Sequence, residues 1–161
     1  MVIKIIKNTK HGVVKITLDK KGLELYQQHV WTIAKFKHLK YLMRVTKNKS
    51  ILFHRTLMGI TKRNELVDHV NCDTLDNRII NLRLCTASQN LMNSRKRSNT
   101  TSKYKGVYFV KRLKRWSARI MSKSKRVHLG YFCSEHAAAI AYNIAAKKHF
   151  GEYANLNKIR K

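Results

Sequence analysis

The sequence predicts an α+β protein in which small antiparallel sheets are accompanied by helices. Runs rich in β-branched and aromatic residues, with apolar side chains at alternate positions, occur near both ends of the chain. Two other stretches, residues 50–58 and 135–150, space their apolar residues at helical intervals. Between them, residues 66–93 combine acid, imidazole and amide side chains more densely than any other segment.

The N-terminal part is expected to form a small α+β platform. Strands are predicted at residues 2–6, 12–18, 31–35 and 41–45, where branched and aromatic residues are frequent. Residues 19–28 are interpreted as a turn and a short helix. A second helix is predicted at residues 50–58, with Ser50 as its N-cap and Gly59 as its terminator.

The central stretch, residues 66–93, is predicted to be an active site. Asp68 and His69 end a short apolar run, and on a strand their side chains point to opposite faces. Such a pair can place a carboxylate on a metal while the imidazole addresses a nearby water. Asn81 and Asn90 follow His69 by twelve and twenty-one residues, and Thr86 is the predicted N-cap of a helix that carries Asn90.

Composition indicates a polyanionic partner. The chain has 161 residues, 35 of them Lys or Arg and 8 Asp or Glu, for a net charge of +27. This excess is larger than solubility requires, and it favours nucleic acid over other partners. A membrane partner is disfavoured because no apolar run approaches the ~18 residues of a spanning helix and the N-terminus lacks a signal-peptide core. A soluble, intracellular protein of two compact modules is expected.

The three cysteines point to no redox or zinc chemistry. Cys72, Cys85 and Cys133 include no CxxC pair, so neither a disulfide framework nor a thiolate zinc site is favoured. They are expected to be reduced and structural.

Residues 94–102 are polar, basic and without periodicity, which is typical of an exposed linker. Two interpretations of Arg95, Lys96 and Arg97 remain open. They either follow a phosphate backbone or form a solvated tether.

The last third of the chain predicts three antiparallel strands followed by a helix. The strands are expected at residues 105–110, 115–122 and 126–131, where apolar residues alternate with basic or polar ones. The Ala-rich helix at 135–150 has Ser134 as its N-cap and Gly151 as its terminator, and it would cover one face of the sheet.

The other face of this sheet is predicted to bind a DNA groove. A twisted three-stranded sheet can enter the major groove, where Arg bonds guanine in a bidentate contact and Lys meets phosphate. Trp116 has two interpretations, as a core residue or as a groove contact. The predicted DNA-binding residues of this part of the chain are Lys105, Tyr108, Lys111, Arg112, Lys114, Arg115, Trp116 and Arg119.

Two stretches resemble known families. Residues 54–93, with HR at 54 and 55, DHVNCDTLDNR from Asp68 and NLR from Asn81, resemble the HNH homing endonucleases of phages and introns. Residues 103–157, with YKGVYF, RWSARI, HLGYF and FGEYANLN, resemble the ethylene-response-factor-type (AP-two) DNA-binding domain. The resemblances divide the chain into a platform with nuclease module at 1–93, a linker at 94–102 and a DNA-binding domain at 103–157.

The HNH resemblance implies a ββα-metal fold that holds one divalent ion, Mg²⁺ or Mn²⁺. It assigns Asp68 and Asn90 as metal ligands, His69 as general base and Asn81 as the residue that orients the His69 ring. His54 and Arg55 are secondary site residues, and for His54 a phosphate or metal contact and a half-buried helix position are equally open. Cys72 stands where the family usually has glycine, which puts the backbone of that turn in question.

The expected function is therefore a sequence-specific, divalent-metal-dependent DNA endonuclease of the homing type that hydrolyses phosphodiester bonds, with nicking as the expected outcome. Double-stranded DNA is the expected partner of a monomer that has no obligate protein partner. If phage-encoded, the protein would work in the host cytoplasm or nucleoid. Two alternatives stay open: an inactive DNA-binding or transcription-regulating protein that retains the HNH fold, and an RNA-binding protein. A small-molecule enzyme is disfavoured because the sequence has no glycine-rich phosphate loop or nucleophile motif.

Overall fold

The computed structural model describes residues 2–9, 12–47, 49–96, 100–122 and 125–159. The chain divides into two compact units, Met1–Asn90 and Leu91–Lys161. Each unit combines helices with antiparallel sheets, which confirms the predicted α+β class. Within the described residues, no helix is long and apolar enough to cross a membrane.

The first unit begins with a hairpin and a helix. Strands β1 (Ile3–Thr9) and β2 (Gly12–Leu18) pair antiparallel, and helix α1 (Lys20–Gln27) follows. The helix begins at Asp19, whose carboxylate accepts a hydrogen bond from the Gly22 amide at 2.9 Å. Alternate residues of β2 are buried, as the period of a half-buried strand requires.

A second sheet carries one correction to the prediction. It consists of β3 (Thr32–Phe36), β4 (Leu39–Val45) and β5 (Ser50–Leu52) in that order, and helix α2 (Phe53–Leu57) follows. Ser50 is not a helix N-cap, since the residue before α2 is Leu52. Pairing of Ser50 with Val45 and of Leu52 with Met43 adds a third strand to the sheet, and this tertiary pairing overrides the helical spacing. Gly59, at φ +69°, follows the helix as predicted.

One apolar core joins the platform to the central stretch. Trp31 and Phe53 are almost fully buried and meet edge to face with ring centroids 4.8 Å apart. Val67 and Leu82, from the central stretch, belong to the same cluster as Ile16 of β2. Each large buried side chain contributes about 1.5–3 kcal/mol, so this packing holds the central strands on the platform.

The central stretch forms two strands and a helix. Strands β6 (Leu66–His69) and β7 (Leu82–Cys85) pair antiparallel with Asp68 opposite Arg83, and helix α3 (Ala87–Asn93) follows. Thr86 is the N-cap as predicted, because its hydroxyl accepts the Gln89 amide at 3.2 Å. The Gln89 side chain in turn accepts the Thr86 amide at 2.8 Å, which completes a capping box.

The loop between β6 and β7 is docked on β2 through backbone hydrogen bonds. The Thr17 amide donates to the Leu75 carbonyl at 2.9 Å, and the Asn77 amide donates to the Thr17 carbonyl at 2.8 Å. Within this loop Cys72 adopts φ +58°, a left-handed conformation that favours glycine. The turn thus has the left-handed conformation that glycine usually adopts, although the residue is a cysteine.

The second unit is a sheet covered by a long helix. Strands β8 (Val107–Val110), β9 (Arg115–Ser122) and β10 (Lys125–Phe132) form an antiparallel sheet with β9 in the centre, and helix α4 (Glu135–Phe150) follows. Ser134 caps α4 by accepting the Ala137 amide at 3.1 Å, and Gly151 ends it at φ +53°, both as predicted. Ala138 and Ala139 pack against Ala118 of the sheet.

The predicted linker is shorter than expected at its C-terminal end. Ser102 is buried, and its hydroxyl donates to the Glu135 carboxylate at 2.7 Å. Ser102 is therefore packed within the second unit, which begins at Leu91, because a buried hydroxyl needs a partner that the folded unit supplies. Residues 97–99 of the linker lie outside the described part of the chain.

Candidate functional site

His69 lies at the end of β6 in a nearly dry environment. Its side chain is only 5% exposed, and Nε2 is 3.3 Å from Oδ1 of Asn77. Burial lowers the pKa of His69, while the Asn77 hydrogen bond and the nearby Asp68 carboxylate act in the opposite direction. The ring is therefore neutral at pH 7, and a neutral imidazole carries one nitrogen able to accept a proton.

Asp68 is buried beside His69 and forms an ion pair across the strands. The Arg83 guanidinium donates to Oδ2 of Asp68 from Nη2 at 2.9 Å and from Nε at 3.1 Å. Asp68 is only 6% exposed, and a buried carboxylate needs a compensating charge or hydrogen bonds. The Arg83 guanidinium supplies both. No local sequence pattern indicates a role for Arg83, although its position directly opposite Asp68 follows from the register of the two strands.

Two further rings lie against His69. The His54 ring, on α2, meets the His69 ring edge to face with centroids 4.9 Å apart, and the Tyr41 ring is 6.5 Å from His69 and 5.8 Å from His54. Burial, with smaller effects of His69 and Arg55, lowers the pKa of His54 to about 3. Burial raises the pKa of Tyr41, and the nearby negative charge of Asp68 raises it further. His54 is thus buried next to the predicted base, and Tyr41, which no local sequence pattern indicated, shares its environment.

The Asn81 side chain was expected to orient the His69 ring, but it hydrogen-bonds the loop between β6 and β7. Its side-chain nitrogen donates to the Asp76 carbonyl at 2.7 Å and to Asn71 Oδ1 at 3.0 Å, and its oxygen accepts the Asn71 amide at 3.0 Å. These bonds fix the loop between β6 and β7. The side-chain amide bonded to the His69 ring is that of Asn77, to which the sequence analysis assigned no role in the site. Asn77 reaches the His69 ring because this loop is docked on β2, and no local sequence pattern indicates that docking.

The donors available for a metal are hard oxygens. Asp68 supplies a carboxylate at the end of β6, and Asn90 supplies an exposed amide on α3. Within the described residues no group of three His, Cys, Asp or Glu side chains is suitably clustered for a metal. A carboxylate has about four lone-pair positions, so Asp68 can bind both Arg83 and a cation. Oxygen donors of these two kinds suit a hard divalent ion whose remaining ligands are water or substrate oxygens.

Arg55, a secondary site residue in the sequence interpretation, is held by the backbone that precedes β6. Its guanidinium donates to the Lys62 carbonyl at 2.7 Å and also to the Glu65 carbonyl. This arrangement clamps the entry to β6.

The exposed face of the second unit is basic and aromatic. Arg115 and Arg119 of β9 are exposed, on the side opposite to the buried Ala118 and Ile120. The Arg119 guanidinium lies 4.6 Å from the centroid of the Tyr108 ring, on the neighbouring strand. Other predicted DNA-binding residues on the adjoining turn, all exposed, are Lys111, Arg112 and Lys114.

Lys105 and Trp116 do not belong to this face. The Lys105 ammonium donates to the carbonyls of Met92 at 2.7 Å and Ser94 at 2.6 Å, where it caps the end of α3. Trp116 is half-buried and packs with the core cluster of Tyr104 and Ala138. Its position in β9 has the parity of Ala118 and Ile120, so it points towards the helix, which corrects its inclusion among the groove contacts. In the linker, Arg95 is exposed and Lys96 half-buried, while Arg97 lies outside the described residues.

Comparison with known proteins places the central stretch among nuclease-like sequences. Residues 59–92 match the model of the family described as HNH endonuclease. Over 145 residues the chain is 27% identical to uncharacterized HNH endonuclease L560 of Acanthamoeba polyphaga mimivirus, covering 89% of this chain and 74% of that protein. The predicted HNH resemblance is confirmed to this extent.

A shorter likeness concerns plant proteins. Over 57 residues, 35% of the chain, identity is 46% to AP2-like ethylene-responsive transcription factor TOE2 of Arabidopsis thaliana and 46% to APETALA2-like protein 2 of Oryza sativa subsp. indica. The match spans only 12% and 13% of the length of these two relatives. No solved structure matches the chain. The stretch that brings Asp68 and His69 together on β6 is thus the part of the chain with HNH endonuclease similarity.

Proposed function

We propose that this protein is a sequence-specific DNA endonuclease of the HNH type, of homing character, that needs one divalent cation, Mg²⁺ or Mn²⁺. One observation carries the proposal. A neutral, buried His69 bonded to Asn77 stands next to the Asp68 carboxylate on β6, within the segment that matches the HNH endonuclease family. Metal-assisted hydrolysis of a phosphodiester needs a general base and a metal ligand, and two adjacent positions on β6 supply side chains of these kinds.

His69 acts as the general base. In the tautomer that carries its proton on Nε2, the ring donates to Asn77 Oδ1, and this bond fixes the ring plane. The other nitrogen takes a proton from water as the water oxygen attacks phosphorus. The P–O3′ bond breaks, the 3′ oxygen takes a proton from solvent, and a 5′-phosphate and a 3′-hydroxyl are left. His54 and Tyr41 keep the base in a dry environment, which holds it neutral.

Asp68 and Asn90 would hold the cation. When bound, the cation supplies positive charge for the phosphoryl oxygens and for the departing oxygen. The donor set of one carboxylate and one amide suits Mg²⁺ or Mn²⁺ better than Zn²⁺, which prefers nitrogen and sulfur. Arg83, paired with Asp68, holds the carboxylate in place between the strands.

The second unit binds the DNA and contributes to its recognition. Arg115, Arg119 and Tyr108 provide a basic and aromatic sheet face of the kind that fits a major groove, and a 57-residue likeness to plant ethylene-response-factor-type proteins supports this role. The nuclease centre proposed at His69 cuts one strand per binding event, so nicking is the proposed outcome of a monomer.

Cleavage of supercoiled plasmid in the presence of Mg²⁺ tests the nuclease. The wild-type protein is expected to produce open circles, and EDTA is expected to stop the reaction. His69→Ala should lower the nicking rate by about two to four orders of magnitude, which is the usual contribution of a general base. The matched control is His29→Ala, at an exposed histidine of the same unit, which should nick normally. Normal nicking by His69→Ala removes His69 from the role of base.

Circular dichroism and DNA affinity must accompany this measurement because His69 is buried. A folded His69→Ala protein that binds DNA normally and fails to nick separates loss of chemistry from loss of structure. In parallel, Arg115→Gln with Arg119→Gln should weaken DNA binding and reduce its dependence on salt by about 0.9 in log–log slope per lost phosphate contact.

A second candidate function is DNA binding without cleavage. The Asp68–Arg83 ion pair favours it, since the guanidinium already offsets the charge of Asp68 and so weakens the attraction of that carboxylate for a cation. This candidate predicts metal-independent DNA binding and no nicking with either Mg²⁺ or Mn²⁺. The plasmid assay above decides between the two.

A further inference from the structure

A basic cleft lies in the second unit, apart from the exposed sheet face. It has a volume of about 490 Å³, and the described residues that line it include five Lys or Arg side chains and no carboxylate. The cationic side chains that line it are Arg95, Lys96, Lys103, Lys105 and Lys158. His136, at the start of α4, adds a further group that can carry positive charge.

The cleft is on the helix side of the sheet. Its wall residue Tyr104 packs in the core cluster with Ala138 and Ala139 of α4, and the His136 ring meets the Tyr104 ring with centroids 5.6 Å apart. Arg115 and Arg119 have the opposite parity in β9 from the helix-facing Ala118. The two basic surfaces therefore belong to different faces of this unit.

Hydrogen bonds hold the walls of the cleft in place. The Lys105 amide donates to Asn157 Oδ1 at 2.7 Å, and Asn157 Nδ2 donates back to the Lys105 carbonyl at 3.1 Å. Asn143 of α4 binds the Asn157 backbone through both polar atoms of its side-chain amide, at 2.9 and 2.8 Å. Asn155 donates to the Asn93 carbonyl at 2.8 Å. Such a framework pre-organises the cationic groups and reduces the entropy lost when a ligand binds.

So many cations around one cleft repel each other in the free protein. Glu135 does not line the cleft and accepts hydrogen bonds from the Ser102 hydroxyl and the Lys103 amide; its single charge lies near Lys103 and His136 and offsets only part of the positive charge. An anionic ligand with several charges at regular spacing relieves the repulsion, and a nucleic-acid backbone has this chemistry. A single phosphate could neutralise only part of the five charges.

We propose that this cleft is a second contact surface for the phosphodiester backbone of duplex DNA, so that the second unit meets DNA through two faces. The inference rests on the proposed DNA-binding function and extends it. The sheet face contacts the groove, and the cleft takes backbone of a flanking or second duplex segment. Base identity plays no part at the cleft, because its cations address phosphate alone.

The test compares two variants of equal charge. Lys103→Gln with Lys158→Gln removes two exposed cations from the cleft, and Lys147→Gln with Lys148→Gln removes two exposed cations from the last turn of α4. Lys147 lies eleven residues beyond His136, or about 16 Å along the helix at its ordinary rise of about 1.5 Å per residue. The full-length proteins are titrated with a fluorescent duplex of about 30 base pairs at several NaCl concentrations.

The cleft variant should show a log–log salt slope that is shallower by about 1.8 and an affinity about 30-fold weaker at 0.15 M salt, from a loss of about 0.9 in slope per phosphate contact. The α4 variant, with the same net charge, should bind within about threefold of wild type. Combining the cleft variant with Arg115→Gln and Arg119→Gln should add the two losses, as independent surfaces do.

Three results are informative. Equal slopes for the cleft and α4 variants, with wild-type DNA binding intact, overturn the cleft proposal and leave the proposed DNA-binding function standing. Failure of the wild-type protein to bind any duplex overturns both. Unchanged DNA binding by the cleft variant, together with loss of its binding to phosphatidylserine vesicles, reassigns the cleft to a membrane surface and also refutes the proposal. Thermal unfolding of each variant verifies that the second unit is folded.

Discussion

Acid should destabilise the first unit through His54. This ring is 5% exposed, and its burial lowers its pKa to about 3, whereas in the unfolded chain it titrates near its ordinary value of 6.5. Below pH 6.5 the unfolded chain therefore binds a proton that the folded chain excludes, so stability falls as the pH drops from 6.5 towards 3. At about 1.4 kcal/mol per unit of pKa difference, the loss attributable to His54 at pH 4.5 is about 3 kcal/mol.

The assay compares His54→Gln with the parent protein. Glutamine stays neutral at every pH, so the loss of stability between pH 7.5 and pH 4.5 should be smaller in the variant by about 3 kcal/mol, whatever the packing cost of the substitution. Urea unfolding is followed by the fluorescence of Trp31, which is nearly fully buried and contacts Phe53, the neighbour of His54. A Trp116→Phe background makes Trp31 the sole tryptophan, so the signal reports the first unit alone.

His38→Gln is the matched control because His38 is exposed in the same unit, and it should leave the pH dependence of the parent unchanged. Burial also lowers the pKa of His69, and this ring is kept in all three proteins, so the comparison between them reports chiefly the protonation of His54. Equal losses of stability in the parent and His54→Gln would refute the inference that His54 is held neutral by burial.

Three further predictions concern catalysis and the backbone. Because the pKa of His69 is lowered, plasmid nicking should persist below pH 6.5 and fall only at lower pH as the ring takes up a proton; a midpoint above pH 6.5 in a pH–rate profile would contradict this. Lys37 is exposed at φ +55°, so Lys37→Gly should raise the free energy of unfolding by about 1 kcal/mol, whereas Lys35→Gly, in strand β3, should lower it by a similar amount in the same urea titration. Gly106→Ala should destabilise the second unit by about 3 kcal/mol or more, because its φ is +75° and the new Cβ would lie 2.1 Å from the Tyr142 ring; thermal unfolding close to that of the parent would contradict the packing argument.

Interactions between residues close together in the chain were sufficient to predict much of the secondary structure. The strand periods, the Thr86 and Ser134 caps and the Gly59 and Gly151 terminators depend on contacts within a few residues, and the structure bears these predictions out. The clustering of Asp68 and His69 is likewise a property of adjacent positions on one strand. Ser50 shows the limit, since its segment has helical spacing and yet pairs with β4, a partner that lies outside any local window.

Only the tertiary structure decided which side chains surround His69. Tyr41 and His54 reach it from β4 and α2, and Asn77 reaches it because the loop between β6 and β7 is docked on β2. Trp116 was open between core and groove until the strand parity and the position of α4 assigned it to the core. The sequence by itself determined the reactive residue types and their local order. Their burial, and with it the neutral state of the base, depends on packing between segments far apart in the chain, which no local pattern encodes.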